Sequence, residues 1–162
     1  MEKERFTRFA LLIGGVQKHL QKIKLINAAE LGIKGVHCFW LYELCKYPDG
    51  MTASELATKS MIDRSLISRE ITELEKSGYI TVDVEEGKRS YNSKIRLTES
   101  GVQLAEYIGE IALHFQKEID RNIDDEELCQ FYSTLEKIYE NFVRISDEEW
   151  QPEGFSHSNQ TI

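Results

Sequence analysis

The chain has 162 residues, of which 41% are hydrophobic and 30% are charged, and it carries a net charge of −8. This length fits one medium-sized folding unit, and the composition excludes a disordered or fibrous protein. The three cysteines, Cys38, Cys45 and Cys129, are an odd number without CxxC spacing, which argues against a disulfide framework and a zinc knuckle. We therefore expect a soluble, mostly helical protein of the reducing cytoplasm.

The first predicted element is a long amphipathic helix. Apolar residues recur at spacings of three and four from Phe6 to Ile23, which predicts a helix over residues 1–26. The apolar run 9–16 follows basic residues, as in a signal peptide, but no small-residue cleavage site comes after it. No apolar stretch approaches the ~20 residues that span a bilayer. We expect a protein that is neither exported nor embedded in a membrane.

Three further helices are predicted in the first half of the chain. One covers about residues 35–46 and has an apolar face of Val36, Phe39, Trp40 and Leu44. The next begins at a capping box formed by Thr52 and Glu55. The third covers 63–77, with Asp63 as its cap, and precedes Gly78, a residue suited to a left-handed helix end. Its buried stripe is Ile67, Ile71 and Leu74, and its opposite, polar and basic face is Ser65, Ser68, Arg69, Thr72 and Lys76.

A β-hairpin and two long helices complete the predicted fold. The strands of the hairpin are expected at 79–84 and 93–97. Thr98 caps the first long helix, and Asp124 with Glu127 forms a second capping box that opens the last helix. The basic residues of the hairpin are Lys88, Arg89, Lys94 and Arg96.

The negative charge is concentrated near the C-terminus. Residues 117–153 contain twelve acidic and four basic residues, so this stretch alone accounts for the net charge of −8. The rest of the chain is neutral, and its approach to an anionic partner depends on where its basic residues cluster. An acidic chain of this kind is therefore compatible with binding to DNA.

Two short helices followed at once by a β-hairpin are typical of a winged helix-turn-helix. A second helix with small and basic outward side chains can enter the major groove, while a basic hairpin can lie along the adjacent backbone. The fold class predicted is thus mainly α (α+β), with a winged helix-turn-helix lobe between long terminal helices. The apolar seams of those terminal helices are buried more fully against a second copy, which predicts a homodimer.

Three runs of sequence resemble the MarR family of winged helix-turn-helix transcriptional regulators. They are DRSLISR at 63–69, LEKSGYI at 74–80 and LTESG at 97–101. Their order and spacing carry the resemblance, and the flanking helices match the order of the family. The resemblance implies a recognition helix at 63–77 and a wing at 80–97.

The resemblance also implies a domain organisation. Residues 1–146 would form a single MarR-type domain, in which the helices of 1–26 and 102–146 intertwine with those of a second copy. The DNA-binding lobe would span 33–101. In such families a small ligand or an oxidant often relieves repression by changing the spacing of the two lobes. Residues 147–162 have no apolar stripe and are expected to be disordered.

We therefore expect a DNA-binding regulator, a repressor released by a small ligand, that binds a pseudo-palindromic operator. The alternative is a winged-helix module that contacts an acidic protein and shows little salt-sensitive binding to DNA. An enzyme is not expected, because the chain has no glycine-rich phosphate loop, no GxSxG motif and no paired catalytic acids. The residues expected to contact DNA are Arg64, Ser65, Ser68, Arg69, Thr72, Lys76, Lys88, Arg89 and Lys94.

Sites for small ligands are less clearly marked. Three aromatic residues fit an effector pocket between the dimer arms and the DNA-binding lobe, namely Phe39, Trp40 and Tyr42. Packing in the core would explain these residues equally well. The histidines include no HxxxH or HExxH pair, and the best remaining arrangement joins His37 and Cys38 with His114. The sequence therefore predicts no metal ion and no cofactor. Cys38 and Cys45 are interpreted as small buried hydrophobic residues.

Overall fold

The structure, a computed structural model, describes residues 2–62, 64–84, 90 and 92–147. The helices are α1 (Glu2–Glu30), α2 (Gly35–Cys45), α3 (Ala53–Ser60), α4 (Arg64–Lys76), α5 (Glu99–Ile119) and α6 (Asp125–Asp147). The strands are β1 (Met51–Thr52), β2 (Ile80–Val82) and β3 (Lys94–Leu97). The predicted fold class, helices with a small sheet, is confirmed.

The chain divides into two compact units. The first, Met1–Leu113, contains α1 to α4, the sheet and most of α5. The second, His114–Ile162, contains the end of α5 and all of α6. None of the helices among the described residues is long and apolar enough to cross a membrane.

The core of the first unit is formed by α2, α3, α4, the sheet and the first half of α5. The predicted stripe of α4 is confirmed, because Ile67, Ile71 and Leu74 are all buried. They pack with apolar residues of the neighbouring elements, namely Trp40, Leu41, Leu44, Met51, Leu56, Ile80, Ile95, Ala105 and Ile108. Burial of this stripe fixes which side of α4 faces outward.

Helix α2 differs from its prediction in how many of its sides are buried. The predicted face included Phe39, yet this residue is 38% exposed, while Leu41 outside that face is completely buried. The reason is that α2 is apolar nearly all round and contacts α1, α3 and β3. Periodicity cannot select one face of a helix that packs on several sides.

Helix α1 is longer than predicted. It continues to Glu30 rather than ending near residue 26, because Ala28 and Ala29 favour a helix and Asn27 does not end it. Gly32, with a φ of 67°, follows the helix. Ala28 is buried, whereas the N-terminal part of the apolar stripe is exposed in the single chain.

The sheet has one strand more than predicted. Its order is β1-β3-β2, and both pairs are antiparallel, with Met51 and Val82 opposite Ile95 on the two sides of β3. Strand β1 has two residues, which is too short to show a period. Gly50 leads into it with a φ of 78°, and an added Cβ would lie 2.7 Å from the carbonyl oxygen of Ile95. Only glycine fits this approach of the two backbones.

The predicted capping residues are in place wherever the structure describes them. The Thr52 hydroxyl accepts from the Glu55 amide at 3.1 Å, and the Glu55 carboxylate accepts from the Thr52 amide at 2.6 Å. Asp124 and Glu127 form the corresponding box at α6. Asp63, predicted to cap α4, lies outside the described residues.

Candidate nucleic-acid interface

Helix α4 presents the face predicted to contact DNA. Ser65, Ser68, Arg69 and Lys76 are exposed and Thr72 is half-buried. Arg64 is the first residue of the helix. Because Ile67 and Leu74 are held in the core on the other side, these outward side chains are carried on a fixed helix. Small hydroxyls beside a guanidinium suit an approach to base edges.

The same helix carries two acidic residues that sequence reasoning did not connect with the site. Glu70 is buried and Glu73 is exposed, and both accept hydrogen bonds from the ammonium group of Lys34. The Lys34 nitrogen lies 2.9 Å from a Glu70 oxygen and 2.5 Å from a Glu73 oxygen. His37 Nε2 lies 3.0 Å from the same Glu70 carboxylate. We call Lys34, His37, Glu70 and Glu73 the α2–α4 polar cluster.

The protonation states within this cluster follow from its contacts. The hydrogen bond from Lys34 lowers the pKa of Glu70, and the hydrogen bond with His37 adds to this against the effect of burial. Burial lowers the pKa of His37 more than the contact with Glu70 raises it. The hydrogen bonds to Glu73 and Glu70 raise the pKa of Lys34. The ammonium of Lys34 therefore balances one of the two negative charges of Glu70 and Glu73.

The described part of the wing carries paired cations. The Lys94 nitrogen lies 3.0 Å from a carboxylate oxygen of Glu55, and Arg96 pairs with Asp83. The backbone hydrogen bond from Thr52, aided by Lys94, lowers the pKa of Glu55 to about 2. The α3 capping box and the wing are thus joined by one ion pair.

The remaining wing predictions fall outside the described residues. Lys88 and Arg89 both belong to the stretch 85–89, so their roles stay predictions.

The three aromatic candidates of α2 have different environments. Trp40 is completely buried in the core, as the packing alternative predicts, and its indole N–H has no hydrogen-bond partner among the described residues. Phe39 and Tyr42 are partly exposed. A Cβ added at Gly109 of α5 would lie 3.2 Å from the ring of Tyr42, so the two helices approach closely there. The effector pocket stays a prediction that rests on Phe39 and Tyr42.

The cysteines of α2 pack against the core, but they are less buried than predicted. Cys38 and Cys45 are half-buried and contact the core. Burial raises the pKa of the Cys38 thiol, which disfavours the reactive thiolate.

Comparison with known proteins agrees with this arrangement. Residues 31–90 match the sequence profile of the MarR family, and this region contains α2, α3, α4 and β2. Among curated protein sequences, none matches the chain.

Solved structures similar to this chain are transcriptional regulators. A MarR-family regulator of Listeria monocytogenes complexed with 26-mer DNA is 26% identical with a TM-score of 0.72, covering 84% of this chain and 87% of its own. MepR of Staphylococcus aureus in a DNA complex is 19% identical with a TM-score of 0.73, covering 83% and 96%. A MarR protein of Peptoclostridium difficile is 22% identical with a TM-score of 0.73, covering 83% and 86%. The similarity therefore extends to the helices on both sides of the lobe.

Proposed function

We propose that this chain is a transcriptional regulator of the MarR family and that it binds duplex DNA as a homodimer with α4 in the major groove. The observation that carries the proposal is the outward face of α4, where Ser68 and Arg69 are exposed on a helix anchored in the core. Arg69 makes no ion pair with any residue that the structure describes. Its guanidinium is thus available to a guanine edge or a phosphate.

The proposed contacts divide into two groups. Ser65, Ser68, Arg69 and Thr72 face base edges, and the flanking cations Arg64 and Lys76 contact phosphates. The wing adds phosphate contacts through Lys88, Arg89 and Lys94. The regulators of Listeria monocytogenes and Staphylococcus aureus that were solved with DNA support the proposal that the chain binds DNA. A regulator of this family is not an enzyme, in agreement with the expectation from the sequence.

A homodimer is the proposed assembly. The apolar side chains of α1 are exposed in the single chain, with Phe6 at 68% and Leu11 at 71%. Helix α6 likewise exposes Phe131 and Phe142. Exposed apolar stripes of this length mark surfaces that a partner covers. A two-fold dimer would match a pseudo-palindromic operator.

Repression relieved by a small ligand is the proposed mode of regulation, and it follows from the family. A dimer that covers a promoter excludes the polymerase, and a ligand that favours another spacing of the two lobes releases the DNA. Phe39 and Tyr42 are the residues proposed to meet such a ligand, because they remain partly exposed beside the core. The regulator would act in the cytoplasm, where it has access to the chromosome.

The direct test is binding of the full chain to the DNA upstream of its own gene, compared with a scrambled duplex over a salt series. We expect tighter binding to the upstream fragment and a steep loss of affinity with salt, because each phosphate contact releases counterions. If Lys88 and Arg89 each meet a phosphate in both subunits, changing both to alanine should reduce the slope of log affinity against log salt by about 3.6. Weak binding to both duplexes without salt dependence would support the protein-interaction alternative instead.

A further inference from the structure

Three side chains with metal-ligand atoms meet between α2 and α4. His37 Nε2 and one oxygen each of Glu70 and Glu73 all lie within 4.8 Å of one another. His37 and Glu70 are buried at 3% and 7% exposure, and Glu73 lies at the exposed edge. Spacing along the chain does not reveal this group, because His37 and Glu70 are 33 residues apart on different helices.

We propose that His37, Glu70 and Glu73 form a binding site for a divalent transition-metal ion such as Zn²⁺ or Co²⁺. One imidazole and two carboxylates are a donor set that suits these borderline ions. A tetrahedral ion with bonds of about 2.0–2.2 Å places neighbouring ligand atoms roughly 3.3–3.5 Å apart. The distance of 3.0 Å between His37 Nε2 and a Glu70 carboxylate oxygen is already close to this separation of ligand atoms. The exposed Glu73 side chain closes the site by rotation, and water completes the coordination.

Lys34 already places a cation between the two carboxylates. Its ammonium nitrogen lies 2.9 Å from Glu70 and 2.5 Å from Glu73, so these groups converge on one positive charge. A divalent ion would replace that ammonium and bring one more positive charge. The Lys34 side chain is 49% exposed and can turn into solvent when it is displaced. Lys34 would thus compete with the metal ion for the two carboxylates. A purely structural ion-pair network predicts no such competition.

A bound ion would link α2 to the helix that carries Arg69. Binding of the metal can be measured on the protein alone and does not depend on the proposed DNA binding. Any change in operator affinity caused by the metal, in contrast, rests on the proposed function. Failure of one proposal is therefore distinguishable from failure of the other.

Trp40 provides a reporter for this site. The rings of His37 and Trp40 have centroids 6.0 Å apart, so paramagnetic Co²⁺ bound at His37 would quench the fluorescence of Trp40. The chain has two tryptophans, and the Trp150→Phe variant leaves Trp40 as the only one. The experiment is a Co²⁺ titration of this tag-free, full-length variant, followed by competition with Zn²⁺.

We expect saturable quenching that Zn²⁺ reverses. Glu73→Gln should weaken the affinity for Co²⁺ by about tenfold or more, the loss typical even of a group one step removed from an ion. The matched control Glu75→Gln removes the same charge from the same helix and should bind as the parent does. Lys34→Met should bind Co²⁺ several-fold more tightly, because the competing ammonium is gone.

Three outcomes would overturn the proposal. They are the absence of saturable quenching, an affinity for Co²⁺ that Glu73→Gln leaves unchanged, and a Lys34→Met variant that binds Co²⁺ no more tightly than the parent. Because thiolates also bind these ions, quenching that Cys38→Ser abolishes while Glu73→Gln does not would assign the ion to the thiol. Circular dichroism of each variant without metal confirms that Lys34→Met and Glu73→Gln, both changed at exposed side chains, are folded.

Discussion

At the residue scale, Arg69 differs from most basic side chains near it because no described acidic group holds it. Several other cations among the described residues of the first unit pair with carboxylates, namely Lys34, Lys46, Lys59, Lys94 and Arg96. A guanidinium without such a partner keeps its donors for another molecule, and its fork can bind a base edge through two hydrogen bonds. Substitution of Arg69 can therefore distinguish a loss of charge, which weakens binding to all DNA sequences, from a loss of base recognition, which weakens binding to particular sequences.

Changing Arg69 to alanine should weaken specific binding by about 1–3 kcal/mol and flatten the preference at one operator position. The measurement is competition binding with a set of single-base operator variants. Arg121→Ala, which removes a charge from the loop before α6, is the matched control. A uniform loss across all sequences would show that Arg69 contacts phosphate only.

Gly101 is a position where a single methyl group should be costly. A Cβ there would lie 1.9 Å from the carbonyl oxygen of Tyr79, which already accepts a hydrogen bond from the Thr98 amide. We expect Gly101→Ala to lower the free energy of unfolding by about 1–3 kcal/mol, because backbone has to move. Urea unfolding followed by circular dichroism measures this. The control is Gly35→Ala, where the nearest atom is at 3.6 Å, and an equal loss in both variants would refute the close-contact explanation.

At the scale of elements, the ends and faces of most helices could be predicted because their causes are local. Capping boxes at Thr52 and Asp124 and the stripe of α4 need only neighbouring residues. Strand β1 could not be predicted, because two residues form a strand only through their pairing with β3. The same limit applies to the α2–α4 polar cluster, whose Lys34 and Glu73 are 39 residues apart. Local chemistry predicts the exposed part of the candidate site, and long-range pairing determines the rest.

The capping box of α3 should make stability depend on pH in acid. The pKa of Glu55 lies at about 2 rather than 4.5, so its charged form stabilises the fold above pH 4.5, and this contribution is lost as the pH falls towards 2. Wild type should therefore be more stable than Glu55→Gln near neutral pH, and the difference should shrink between pH 4.5 and 2. Urea unfolding of both proteins across this range measures it. Glu106→Gln controls for loss of one charge, and a gap between wild type and Glu55→Gln that stays constant would contradict the prediction.

At the scale of the whole molecule, the exposed apolar residues of α1 are the surface that the proposed homodimer would cover. The most exposed of them in the N-terminal half of the helix are Phe6, Leu11, Leu12 and Val16. A soluble single chain seldom leaves such a stripe in contact with water. The acidic residues of 117–153 lie in a different part of the sequence from the basic residues of α4 and the wing.

Light scattering at micromolar concentration should return twice the chain mass of 18.8 kDa. Leu12→Asp should shift the mass towards that of one chain, because it places a charge in the proposed apolar interface. Lys18→Asp, which alters the charge of the same helix at an exposed polar position, is the control. A wild-type mass near 18.8 kDa would contradict the dimer.

The ion pair between Glu55 and Lys94 has a consequence for how the wing would discriminate between DNA sequences. The Glu55 carboxylate acts as a phosphate surrogate, because it holds Lys94 in the absence of DNA. The Lys94 nitrogen lies 3.0 Å from one of its oxygens. A backbone phosphate that binds Lys94 as proposed would have to displace Glu55, which would lower the affinity for any duplex and leave sequence-dependent contacts a larger share of the total. Loss of that surrogate would have two opposite effects in one variant. Glu55→Gln should be less stable yet should bind scrambled DNA and the operator more tightly by the same factor, because a phosphate contact is common to both.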